Sequence, residues 1–461
     1  MNQVLFNQLN YNFQPFPDHP SYIDHCCELA VSKLKPYNSI SDLENDLANA
    51  NAYENLNALE EPKDVIHMDD NTLNTSDFYK AWKCITDGKL FSEHTAAGEA
   101  TRLKLGTKYL INIQRDLSFS KITDLINQEK GTSFSEDLIK MQTHCNPSDL
   151  FPLSLGVRHM LQYSYDICRL SKLLGYDSKE VLSKQKMLII LNEATAEMII
   201  NEFIEHKFYN FSNYNILFMI QKAYHGINLK ENEVFYDPYS PKRLHNHGQI
   251  AIEQTMTNEI FYINENRCYV YLSNDQFGDI LKSMEVKVSY NIEDLDYLSG
   301  SIDYEGLALA LKKGEEDYHM LMEVLLNNPD APQNGGMAAF DPILKQDVII
   351  ESFQLNGIES HNIKFLNKNI NYYPKPYIAW EMVKNYGLNM HISVKDGFIY
   401  FQPVIGDTNF LVKTAIFIRK NPTAIKAWKS AITTPLAIYC MHLQDMQKGF
   451  KDYAQLFLSL V

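Results

Sequence analysis

At 461 residues, with 45% hydrophobic residues and a formal charge of −15, the chain can bury a large core, so disorder is excluded as its general state. The acidic balance excludes a broad basic surface for nucleic acid or anionic lipid, because such binding draws on clustered Lys and Arg. An anionic substrate therefore needs a local basic pocket, and one large catalytic domain with extensions is expected.

Residues 1–20 carry no basic stretch followed by an apolar one, and no run of about eighteen apolar residues occurs, so the chain is expected to be soluble and cytoplasmic, without a membrane partner. The cysteines Cys26, Cys27, Cys84, Cys145, Cys168, Cys268 and Cys440 are scattered and lack C-x-x-C spacing, which predicts reduced thiols. His25, Cys26 and Cys27 are adjacent in sequence and have no second pair to complete a zinc tetrahedron. Over 22–48, Ile23, Leu29, Ala30, Leu34, Ile40, Leu43 and Leu47 recur at helical spacing, broken at Pro36, which predicts two helices. Over 76–85, Phe78, Ala81, Trp82 and Ile85 fall at i, i+3, i+4 and i+7 behind Ser76 and Asp77 as caps. Residues 1–85 are assigned to an N-terminal helical segment.

Next comes Thr95-Ala96-Ala97-Gly98-Glu99-Ala100-Thr101-Arg102-Leu103-Lys104-Leu105-Gly106-Thr107-Lys108. Small residues let backbone N–H groups approach phosphate oxygens, and Arg102 and Lys108 supply the charge an oligophosphate needs; the same pattern also fits an ordinary loop. Beyond it, strands alternate with helices. The apolar run 187–191, followed by a helical face over 194–206, predicts a central parallel strand buried on both faces, and 215–220 and 268–272 repeat the pattern. Ligands bind beyond the carboxyl ends of such strands. Shorter pieces at 321–326, 348–353 and 398–401 predict an antiparallel or mixed part of the sheet. Residues 86–390 are assigned to the catalytic domain and 391–461 to a C-terminal segment completing the site. His225, His245 and His247 are also a conceivable metal set, though i, i+2 spacing in a loop fixes no third ligand.

Taken in order, these segments resemble the UDP-sugar pyrophosphorylase family. The 95–108 loop resembles its L-x-G-G-x-G-T-R-[LM]-G nucleotide loop with a following P-K. Thr101 and Arg102 stand unchanged, Gly98 takes the second glycine and Lys108 the lysine, while Ala97 and Ala100 replace glycines and Lys104 and Thr107 depart. Phe218-Met219-Ile220-Gln221 resembles the strand closing with F-x-Q, and His245-Asn246-His247-Gly248-Gln249 resembles G-H-G-D. Tyr271-Leu272-Ser273-Asn274-Asp275 resembles the strand ending S-N-x-D-N. Met322-Glu323-Val324, Asn334-Gly335-Gly336 and Ile349-Ile350-Glu351 resemble the M-E-V, G-G and V-E series. Arg419 to Lys426 resembles R-S-R-F-L-P-V-K, with Lys413 as a rival match. At the family's asparagine-rich turn this chain has Tyr372-Tyr373-Pro374-Lys375. Asp407 is the carboxylate nearest the place of a second acidic ligand, and it is out of register.

The resemblance implies a Rossmann-like nucleotidyltransferase fold of α/β class, with a mixed, mainly parallel central sheet flanked by helices. It implies Mg²⁺-dependent formation of a UDP-sugar and pyrophosphate from UTP and a sugar 1-phosphate. It implies Arg102, Lys108 and Lys426 as catalytic cations, and Ala97, Gly98, Thr101, Gln221, Asn246, His247 and Gly248 around the nucleotide. It further implies Gly335, Gly336 and Glu351 around the sugar phosphate, and Asp275 as the Mg²⁺ ligand. Alternatives are the same scaffold acting on another acceptor, such as a protein, or binding nucleotide without catalysis.

Overall fold

The computed structural model describes residues 10–11, 21–97, 107–112, 118–138, 153–231, 233–291, 302–330, 332–420 and 450–460. Its strands in chain order are β1 Asn10–Tyr11, β2 Ile66–His67, β3 Leu90–Thr95, β4 Lys186–Asn192, β5 Ile216–Gln221, β6 Ile227–Lys230, β7 Glu233–Tyr236, β8 Phe261–Ile263 and β9 Tyr269–Tyr271. They continue with β10 Val286–Asn291, β11 Met320–Leu326, β12 Met337–Asp341, β13 Gln346–Ile350, β14 Phe365–Pro374, β15 Ile392–Lys395, β16 Phe398–Phe401 and β17 Thr414–Ile418. The large sheet runs β2-β17-β11-β14-β10-β3-β4-β5-β8-β9, with the β12–β13 hairpin paired to β14. β10, β3, β4 and β5 are mutually parallel, and β14 runs antiparallel to both β10 and β11. The fold is α/β with a mixed, mainly parallel sheet flanked by helices, as the sequence predicts.

Alternation along the strands sorts the core into two faces. Met187, Ile189 and Leu191 of β4 pack on one side with the helices Thr75–Thr86, Leu155–Leu174 and Tyr304–Glu315. Leu188 and Ile190 pack on the other with Phe277, Leu281 and Trp380, from the helices Asn274–Lys282 and Pro376–Tyr386. β3 carries Ser92, Glu93 and His94, all buried, in its middle. Glu93 is satisfied by Lys287 Nζ at 3.1 Å and Ser289 Oγ at 2.8 Å from β10, and by Gln254 Nε2 at 2.7 Å. That polar network lets a charged residue occupy a central strand.

The expected central strand over 268–272 is different. β9 spans three residues at the sheet edge beyond β8, with Tyr269 and Tyr271 exposed. The central position beside β3 belongs instead to β10.

A second, five-stranded sheet runs β1-β7-β6-β16-β15. The helix Ser21–Leu34 covers it through Tyr22, Ile23, Cys26, Cys27 and Leu34, packed with Ile227, Leu229, Met390, Ile399 and Phe401. One layer is thus assembled from segments near 21–34, 227–236 and 390–401, across the expected boundaries at 85/86 and 390/391. No described helix is long and apolar enough to cross a membrane.

Candidate functional site

β3, β4, β5, β10, β11 and β17 all point their carboxyl ends to one edge of the large sheet. At that edge Ala97 follows β3, and its carbonyl accepts Asn192 Nδ2, from the end of β4, at 2.7 Å. The chain returns through a 3-10 turn, Lys108–Leu110, whose Tyr109 is fully buried against the His94 ring, 5.9 Å between centroids. Both ends of the glycine-basic loop are therefore fastened beside β3, which brings Lys108 of the backbone to this edge. Gly98, Thr101, Arg102 and Lys426 lie outside the described residues.

Gln221 closes β5, and its Nε2 donates to the His245 carbonyl and to Gln249 Oε1, each at 3.0 Å. Gln249 also accepts the His245 N–H at 3.0 Å and donates to Glu253 at 3.0 Å, so the residue that stands for the motif's aspartate acts as a hub. Asn246 Oδ1 accepts the His247 N–H at 2.8 Å. Nδ1 of His247 accepts the Ile405 N–H at 3.1 Å, and burial pushes this imidazole down to about 4, so it is neutral with its proton on Nε2. Gly248 starts the helix Gly248–Met256; a Cβ there would sit 2.4 Å from backbone atoms of Pro403 and Val404, so only glycine permits this approach.

The segment that receives His247 continues into the acceptor half of the edge. A Cβ on Gly406 would lie 3.4 Å from Glu351 Oε1, and one on Gly336 would lie 3.4 Å from Glu351 Oε2. Asn367 of β14 donates from Nδ2 to Glu351 Oε1 at 3.3 Å and takes the Gly336 carbonyl with its N–H at 2.8 Å. Gly335 abuts Leu366. Asp407 is buried and joined to His391 Nε2 at 2.6 Å. The structure therefore brings Ala97, Gln221, Asn246, His247, Gly248, Gly336 and Glu351 to one edge. Asn367, Gly406, Asp407 and His391 join them; motif matching named Asp407 only as out of register and passed over the other three. The alternation of Asn367, Asn369 and Asn371, immediately before the tyrosines that stand at the expected turn, was the available signal for Asn367.

Asp275 does not join them. It lies in the first turn of the helix Asn274–Lys282, which packs on the face of the sheet through Phe277, 5.9 Å between ring centroids from Phe91 of β3. Its carboxylate is highly exposed and pairs with Lys384 Nζ at 2.8 Å. An exposed carboxylate already paired to a cation does not fit a phosphate-bridging Mg²⁺, and among the described residues no group of three His, Cys, Asp or Glu is placed to hold a metal. Lys413, the rival cation, lies before β17 at the opposite end of the sheet, 4.0 Å from the Tyr318 ring centroid. Arg419 is engaged with Asp303, Glu305 and Glu323.

No protein-family model and no curated protein matches the chain in sequence. Solved structures do match in shape. Uridine diphosphate N-acetylglucosamine pyrophosphorylase from Trypanosoma brucei aligns with a TM-score of 0.55 at 12% identity, over 95% of this chain and 81% of that one. A protein assigned as UDP-N-acetylglucosamine pyrophosphorylase from Entamoeba histolytica aligns with a TM-score of 0.50 at 14% identity, over 81% of this chain and 86% of that one. At such identities the likeness speaks for the fold, and it agrees with the order of motifs: this chain has the fold of the UDP-sugar pyrophosphorylases, in a divergent form.

Proposed function

We propose that the protein is a nucleotidyltransferase that joins the UMP part of UTP to a sugar 1-phosphate. An oxygen of the sugar phosphate attacks the α-phosphorus, the bond from that phosphorus to the bridging oxygen breaks, and pyrophosphate leaves. The attacking oxygen is already anionic, so no general base is required, and positioning with charge neutralisation carries the acceleration. Arg102, Lys108 and Lys426 supply the charge in this reading, with the base toward Gln221 and His247. Mg²⁺ dependence remains part of the proposal, with a ligand other than Asp275.

The observation that carries the reading is that the nucleotide-type motif at His247 and the acceptor-type motif at Glu351 meet on one short segment, Ile405 and Gly406. Pyrophosphate release from UTP, with Mg²⁺ and a panel of sugar 1-phosphates, tests it. Arg102→Ala should abolish release while leaving the melting curve unchanged. Full activity in that variant, or no release with any sugar, refutes the assignment. A second reading, transfer to another acceptor such as a protein, is favoured by Arg419, whose guanidinium is taken up by three carboxylates. UTP consumption that requires an added protein and no sugar phosphate would select it.

A further inference from the structure

The acceptor half of the site holds a carboxyl pair that the transfer chemistry above does not use. Glu351 is flanked by Gly336 and Gly406, on either of which a Cβ would come within 3.4 Å of one of its oxygens. Among the described residues no cation pairs with it, and its bond from Asn367 is a long one at 3.3 Å. Asp407, the residue after Gly406, is served instead. His391 Nε2 contacts Asp407 Oδ2 at 2.6 Å, and Lys33 Nζ lies 3.4 Å from His391 Nδ1. Lys33 is a donor only, so His391 accepts at Nδ1 and donates from Nε2. The chain Lys33–His391–Asp407 thus directs positive charge to Asp407, and among the described residues none is directed to Glu351. Asp407 Oδ1 is fully buried and has no hydrogen-bond partner among the described residues.

We propose that Glu351 serves as a neutral acid that donates a hydrogen bond to an oxygen of the acceptor, and that Asp407, fixed by His391, is the positioning residue that holds it in that form. The inference rests on the nucleotidyl-transfer reading for the identity of the acceptor. Two carboxyls in one dry pocket resist a second charge, and the one lacking a cation keeps its proton. In agreement, burial and the neighbouring Asp407 push Glu351 up to about 7.

The other groups around the pocket do not reverse this. His247 is neutral and occupied by Ile405. Glu323, beside Met322 on β11, is matched by Lys368 at 3.6 Å and Arg419 at 3.2 Å. Phe353 covers the His391 ring with centroids 4.8 Å apart. A donating acid suits an acceptor that presents a phosphate or carbonyl oxygen, and it removes the repulsion that a carboxylate would exert on a phosphate.

Difference infrared titration of the whole protein against Glu351→Gln reads this acid directly, without substrate. The expected result is a Glu351 carboxyl that ionises near pH 7 and, in Asp407→Asn, ionises at least about one unit lower. In pyrophosphate release, Glu351→Gln keeps a donor and should retain activity within about tenfold while losing the alkaline fall in kcat/KM; Glu351→Asp should be worse than Gln. A Glu351 that ionises in the ordinary carboxylate range, or an active Glu351→Asp beside a dead Glu351→Gln, overturns the proposal. Should Asp407→Asn fail to fold, the wild-type and Glu351→Gln titrations still decide. An infrared titration as expected with no turnover on any sugar phosphate would sink the transfer reading and leave the acid standing.

Discussion

The N–H of Ile405 donates to Nδ1 of His247, and this one bond joins the nucleotide half of the strand-end edge to the acceptor half. Its removal should loosen both halves together. His247→Ala is expected to cost about 1 kcal/mol in stability, as one hydrogen bond does, and to lower pyrophosphate release by roughly tenfold or more through misplacement. Denaturant unfolding and release assays on the same preparation separate the two effects.

Gly248→Ala should do more harm to the fold than its size suggests. The added methyl meets Pro403 and Val404 backbone at 2.4 Å, which cannot turn aside as a flexible side chain does. A loss of about 1–3 kcal/mol is expected, seen as a lower melting temperature.

Asp275→Asn should be almost silent. The side chain is highly exposed and its pair with Lys384 is a surface one. Stability should change by less than ~1 kcal/mol, and Mg²⁺-dependent release should remain within about twofold, whereas loss of a metal ligand typically costs far more. A hundredfold loss would restore Asp275 to the metal.

Glu93 and Lys287 form an ion pair between two central strands, with side chains 1% and 10% exposed. Glu93→Gln leaves the ammonium unmatched and is expected to cost about 3–5 kcal/mol in chemical denaturation. The double change Glu93→Leu with Lys287→Met should recover most of that loss.

Acid should destabilise the protein through histidines held neutral. Burial pushes His94 and His245 down to about 3 and His247 to about 4, from an ordinary 6.5. Their contribution is complete above pH 6.5 and is lost as pH falls toward those depressed values, because the unfolded chain takes up protons that the native one refuses. The melting temperature of wild type should therefore fall more steeply from pH 6 to pH 4 than that of His94→Gln. Glu253 acts in the opposite direction: burial raises it to about 8, so its contribution declines as pH rises from 4.5 through 8, and Glu253→Gln should be flatter there.

The sequence was legible where burial is apolar on both faces. The 187–191 and 215–220 runs became β4 and β5, because continuous aliphatic residues have no other stable place. It was illegible where polar groups are satisfied at long range. Lys287 and Ser289 give β10 the alternation of a half-exposed strand, yet both bond Glu93, nearly two hundred positions earlier. Tyr269 and Tyr271 mimic a core strand, though an edge strand can leave such rings in solvent. Within the candidate site, motif order named His247, Gly336 and Glu351, which the fold brings to one edge. It left Asp407 out of register and passed over His391; the meaning of both lies in a bond to each other and in the glycine beside Glu351.

The layer built on the helix Ser21–Leu34 has a consequence for synthesis. That helix emerges from the ribosome early, but Met390, Ile399 and Phe401, which cover its apolar side, are translated more than three hundred and fifty residues later. Until then Tyr22, Ile23 and Leu34 have only the part of their cover that Ile227 and Leu229 supply, so nascent chains halted before that point are the form most exposed to chaperones, proteases and aggregation.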